Sequence, residues 1–164
     1  MLEEALRAVR KKWKRTLVVF IFLLLLVVAG AVYGVLKPSE QRQALEEARE
    51  SVERSPFYGL LSEGIARRDP FLLALAIFAN NFLLVALLEC TFLGMLCGVS
   101  ILFLGLGAFS TGLVYAPTSM GAGFVLLLAV PVILMEFSAY ALAYTSGLDV
   151  FLSLLKPSWI HGEG

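Results

Sequence analysis

Asn80 and Asn81 stand side by side in FANNFLLVALLE (residues 78–89), inside a stretch otherwise apolar enough to cross a membrane. A carboxamide in hydrocarbon is costly unless it is hydrogen-bonded, and two in succession more so. Glu136 lies well inside another apolar run, and Glu89 sits at a span boundary. Ionisable residues within spans are rare and mark a site by default. Three kinds of chemistry fit this set. The side chains can hydrogen-bond across helices and set their register, line a cavity for an ion, proton or polar ligand, or dock another membrane protein. Register is the favoured reading, because polar side chains between membrane helices are commonly used as packing determinants.

Counted from the outer ends of their spans at 1.5 Å per residue, Asn81 lies about 16 Å deep and Glu136 about 20 Å deep. The two can therefore meet if their helices are neighbours. Pro131 supplies a further acceptor, since a proline inside a helix leaves the carbonyl four residues earlier, on Leu127, without its donor. An asparagine side chain has two N–H donors and one acceptor, enough for a freed carbonyl and a carboxyl together. Adjacent helical residues point about 100° apart, so Asn80 and Asn81 are expected to address different neighbours.

Catalytic patterns are missing from the sequence: it holds no HExxH, GxSxG or Walker-type loop, and no His/Cys cluster with ligand spacing. The single histidine, His161, sits in a polar tail, and a serine nucleophile would find no histidine within the membrane. Cys90 and Cys97 are seven residues apart in one apolar run, about 10 Å along a helix, too far for a disulfide. The expectation is a non-enzymatic protein with no catalytic residues, no metal and no cofactor.

The elements that must position these residues follow from composition. The chain has 164 residues, 59% hydrophobic and only 16% charged, with a mean hydropathy of +0.85. Soluble domains carry about a quarter charged residues. The fold class expected is all-α, a polytopic membrane helical bundle of about four transmembrane helices with amphipathic interfacial helices at the ends. Residues 1–15 read as an amphipathic helix with Leu2, Leu6, Val9 and Trp13 on one face. Residues 16–36 form the first span, long enough for about 30 Å of hydrocarbon and too long for a signal peptide. Gly30 and Gly34 make a GxxxG pair near its far end.

Residues 37–69 are a polar helical segment with Ser39 as the expected N-cap. The second span covers 70–89 and the third 90–115. In the third span Gly94, Gly98, Gly105 and Gly112 are the expected close-packing positions. The fourth span covers 121–146, and 147–164 is expected to lie at the interface.

Six Lys/Arg crowd residues 1–15, whereas the six in 37–69 are spread over 33 residues among seven acids. The positive-inside rule then puts both termini in the cytoplasm of a multi-pass cell-membrane protein. Arg10, Lys11, Lys12, Trp13 and Lys14 are expected at the membrane surface. Zero net charge gives no sign of a nucleic-acid partner. The partners expected are the lipid bilayer, a second copy of the chain, and other membrane proteins.

FANNFLLVALLECTFLGMLCGVSILFLGLGAFSTGLVY followed by VPVILMEFSAYALAYTSGL resembles the stage II sporulation protein M family, also catalogued as domain of unknown function 95. The likeness covers roughly residues 70–150, with Pro131, Glu136, Ala139, Ala141 and Gly147 in matching order. Val132-Ile133 stands where the family often has His-Gly, and many members carry a further carboxy-terminal span. The acid- and arginine-rich extramembrane helix is similar to versions in non-sporulating organisms, including archaea. The resemblance implies a non-enzymatic integral membrane protein; in sporulating bacteria the family member scaffolds cell-wall-degrading partners during engulfment. The leading expectation is a homo-oligomeric scaffold or assembly protein. A small transporter or channel is the alternative, and a lipid-binding or membrane-shaping role the third.

Overall fold

Every described element is helical, as an apolar chain in lipid requires, because only an internally hydrogen-bonded backbone is tolerated there. The computed structural model describes the backbone of residues 2–92, 95 and 99–155 and the side chains of 12–92, 95, 99–119 and 121–155. The elements are α1 (Leu2–Leu36), α2 (Pro38–Arg54), α3 (Tyr58–Arg67), α4 (Pro70–Ala79), a π-helix (Asn80–Phe92), α5 (Ser100–Val114) and α6 (Met120–Leu155). Three stretches are long and apolar enough to cross a membrane: Lys12–Leu36, Pro70–Phe92 and Gly121–Leu155. Ser100–Val114 is a shorter apolar helix. Gly94, Gly98, Cys97 and the tail with His161 lie outside the described residues.

The first expected boundary is not an element boundary. Residues 2–15 are not a separate helix, because α1 runs unbroken for 35 residues, about 52 Å at the α-helical rise. No Gly or Pro interrupts LEEALRAVRKKWKRTLVV, so the amphipathic turns propagate directly into the span. Trp13 is exposed on it, 56% accessible, and the side chains of Arg10 and Lys11 lie outside the described residues. The far end behaves alike: residues 147–155 continue α6, which is 36 residues long.

The polar stretch 37–69 divides into α2 and α3. Ser39 is not the cap of α2; Lys37 holds that position without a side-chain bond, and Pro38 opens the first turn. Proline suits that turn, where its missing N–H would be unsatisfied anyway. Arg68 ends α3 in the left-handed region at φ 53°. Asp69 then caps α4, accepting from Phe71 N at 2.9 Å and Leu72 N at 3.2 Å. The result is a tight α3–α4 hairpin in which Gly64 packs on Leu73.

Helices α1 and α5 run parallel and nearly touch. A Cβ added at Gly112 would overlap the carbonyl of Val27, and one at Gly30 the carbonyl of Phe109. Gly34 faces Leu113 and Ala116, and Gly105 faces Leu26. Small residues thus let two backbones meet where no larger side chain would fit. Tyr33 and Phe109 flank the seam with ring centroids 5.8 Å apart.

Helix α6 runs antiparallel to α1. At one end Asp149 takes Lys12 at 3.0 Å and Arg15 at 2.8 Å, and the Thr16 and Thr145 hydroxyls share a 3.0 Å hydrogen bond. The π-helix runs parallel to α6, with Asn81 against Glu136 and Thr91 against Gly147. Leu23, Val27, Leu104, Ala108, Cys90, Ile133, Phe137 and Ala141 form the core between these four elements. The start of α1 and the end of α6 therefore share one end of the bundle.

Two measurements check this packing. Gly112→Ala should cost about 2 kcal/mol by overpacking, lowering Tm by about 4–8 °C, while Gly107→Ala, with nothing within 4 Å of the added Cβ, should leave Tm unchanged or raise it. Asp149→Asn should cost about 1–3 kcal/mol, with the difference shrinking at high salt, because the Asp149 side chain is only 14% accessible and holds two cations.

Candidate functional site

The π-helix begins at Asn80, so both asparagines lie in its first turn. Within it Thr91 returns its hydroxyl to the Ala86 carbonyl five residues earlier, at 2.8 Å. Runs of this kind are rare and often mark functional positions.

Four side chains join in one directional string. The Ser55 hydroxyl donates to Asn80 Oδ1 at 3.1 Å. Asn80 Nδ2 donates to Asn81 Oδ1 at 3.2 Å. Asn81 Nδ2 donates to Glu136 Oε1. Ser55 is itself held by accepting from the Phe57 backbone N–H at 3.2 Å. Every donor points toward the Glu136 carboxyl, so each bond polarises the next in the same sense. The string links the α2–α3 corner, the π-helix and α6.

The two asparagines face different neighbours. Neither amide turns to the carbonyl left by Pro131: their donors go to Asn81 and Glu136. Leu127 and Pro131 lie on an exposed face of α6, with Leu127 68% accessible. Pro131 is therefore not brought to the cluster, and α6 passes through it without a break. The reason is angular: five residues separate Pro131 from Glu136, which puts them on different sides of an α-helix.

Beside the string is a chamber of about 390 Å³, within the range of small-ligand sites. Glu136, Asn80, Asn81 and Ser55 supply its polar wall, and Phe57, Tyr58 and Tyr115 its aromatic one. Past Asn80 an adjoining cavity of about 420 Å³ is lined by Glu47, Glu50, Arg54 and Leu84. Among the described residues no group of three His, Cys, Asp or Glu could hold a metal ion.

Several participants went unread in the sequence. Ser55 and Tyr115 resemble ordinary turn and helix-end residues, and only the fold carries them to the asparagines. Gln41 likewise donates to the carbonyl of Ala116 at 2.9 Å and accepts from the Thr118 hydroxyl at 2.9 Å, tying α2 to the α5–α6 turn. Of the expected packing glycines, Gly105 and Gly112 are buried on α1. Gly30 and Gly34 meet the same seam from the other side.

Compared with known proteins, the chain matches the model of one family, stage II sporulation protein M, over residues 16–162. No curated protein matches it. No solved structure matches it either.

A double-mutant cycle checks the central bond. Asn81→Ala and Glu136→Ala, singly and together, should show a coupling of about 0.5–1.5 kcal/mol in thermal or denaturant unfolding. Pro131→Ala should show no coupling to Asn81→Ala.

Proposed function

This chain belongs to the stage II sporulation protein M family, and we propose that it works as a non-enzymatic membrane scaffold that assembles with copies of itself and with other membrane proteins. The observation that carries this reading is where the polar groups of the membrane core are spent. Asn80, Asn81 and Glu136 bond to one another and to Ser55. They hold three elements in register, each bonded donor directed at the next member of the string. A water-filled route needs polar groups along its whole length, and the remaining core is mostly Leu, Val, Ile, Phe and Ala, with Cys90, Tyr140 and Tyr144 beside them and Ser100 and Thr145 the buried polar residues among those described.

The polar helix α2 suits the display part of that role. Its outer faces carry Glu46, Glu47, Arg49, Glu50, Glu53 and Arg54, all exposed, and its ion pairs Arg49–Glu53 and Arg54–Glu50 run along the helix. Gln41 and Ser55 fasten it near both ends. A helix held in this way presents a fixed charge pattern to a partner. The cluster of Lys12, Lys14 and Arg15 at the shared end of α1 and α6 supports a cytoplasmic side for that end by the positive-inside rule, and the opposite side for α2.

A small transporter or channel is the second reading, favoured by the chamber beside Glu136. Reconstituted liposomes separate the two. The scaffold reading expects no proton or ion flux above empty liposomes from wild type or from Glu136→Gln. It further expects a discrete oligomer by light scattering in detergent, with Asn81→Leu reducing its retention on a sizing column. Flux that Glu136→Gln abolishes would sink the scaffold reading.

A further inference from the structure

We propose that the chamber beside Glu136 binds a primary ammonium group. The argument starts from which atoms are left over. Within the string each donor is directed at the next acceptor, ending on Glu136 Oε1. Beyond the string, the residues that line the chamber keep the second carboxyl oxygen of Glu136, lone pairs on the asparagine and serine oxygens, and one further N–H on each asparagine. An anion would meet these oxygens unfavourably. A primary ammonium has three N–H donors and one positive charge to match them.

The rest of the wall agrees. Among the described residues lining the chamber there is no Lys or Arg, so the Glu136 carboxyl has no built-in counter-charge. Arg54 lines the adjoining cavity and is paired with Glu50 at 2.7 Å. Phe57, Tyr58 and Tyr115 bring three aromatic rings to the same space, and ring faces attract cations. At about 390 Å³ the chamber exceeds an ammonium group alone and admits the carbon atoms attached to it. The chemistry is that of an aminoethyl group, which either a phosphatidylethanolamine headgroup or a free small amine would supply. This inference stands apart from the scaffold reading, since a scaffold with or without a bound lipid makes the same oligomer.

The test follows thermal unfolding of the full chain in detergent micelles. The additives are ethanolamine, short-chain phosphatidylethanolamine, and the matching phosphatidylcholine and phosphatidylglycerol. An amine at about 100 times its dissociation constant should raise Tm by about 5–10 °C, with phosphatidylglycerol giving no rise. A rise with the phosphatidylethanolamine alone identifies the lipid headgroup as the source; an equal rise with ethanolamine identifies the free amine. Glu136→Gln should remove the rise. Val52→Trp, at an exposed position on the chamber wall, should reduce it while leaving the core untouched, and carries the test if Glu136→Gln does not fold. The proposal is overturned by a rise with phosphatidylcholine or phosphatidylglycerol equal to that with phosphatidylethanolamine, by no rise with either amine, or by a full rise in Glu136→Gln or Val52→Trp.

Discussion

The α1–α5 seam sets the terms for everything packed around it. Helices in lipid gain little from burying apolar surface against one another, because the tails are as apolar as the side chains. Association then depends on how closely backbones can approach. Gly30 and Gly34 on one side and Gly105 and Gly112 on the other remove the side chains that would hold α1 and α5 apart. Leu23, Val27, Leu104 and Ala108 flank this seam and form the floor on which Ile133, Phe137 and Ala141 of α6 rest. Gly147 repeats the device between α6 and the π-helix, where a Cβ would stand 2.6 Å from the Thr91 carbonyl oxygen.

Against that close-packed side, the polar string is the ordering element of the looser one. A single interhelical hydrogen bond in a membrane averages about 0.6 kcal/mol, so the string is worth more as a register mark than as a source of stability. Sliding the π-helix by one residue against α6 would part Asn81 from Glu136 and leave a carboxamide and a carboxyl facing hydrocarbon. The same residues that fix register also leave an acceptor-rich wall toward the chamber. Packing and ligand recognition are compatible uses of one cluster here, because they draw on different lone pairs.

How much of this was legible in the sequence varies residue by residue. The helical membrane class follows from hydropathy alone, and the family follows from the motifs around Asn80, Pro131 and Glu136. Residue counting put Asn81 and Glu136 at similar depth, and their side chains are bonded. The assignment of the Leu127 carbonyl to the asparagines failed because depth says nothing about azimuth: Pro131 and Glu136 share a helix but not a side of it. No helix boundary falls at residue 15 or 147, since charge changes there while backbone preference does not. The π-helix leaves no trace that periodicity could detect in NNFLLVALLECTF, where apolar residues fall on every side. Ser55, Gln41 and Tyr115 act only through tertiary placement.

Helix α2 has one property that its composition hides. It is fastened near its start, where Gln41 grips the α5–α6 turn, and just past its end, where Ser55 grips Asn80. Fourteen residues separate Gln41 from Ser55, about 21 Å of stiff rod. A load applied anywhere along the rod is divided between two anchorages rather than bending a loop. One anchorage is the turn that orients α6, and the other is the string that ends on α6. Traction from outside the bilayer is thus delivered twice to the same helix, and α2 behaves as a handle on α6.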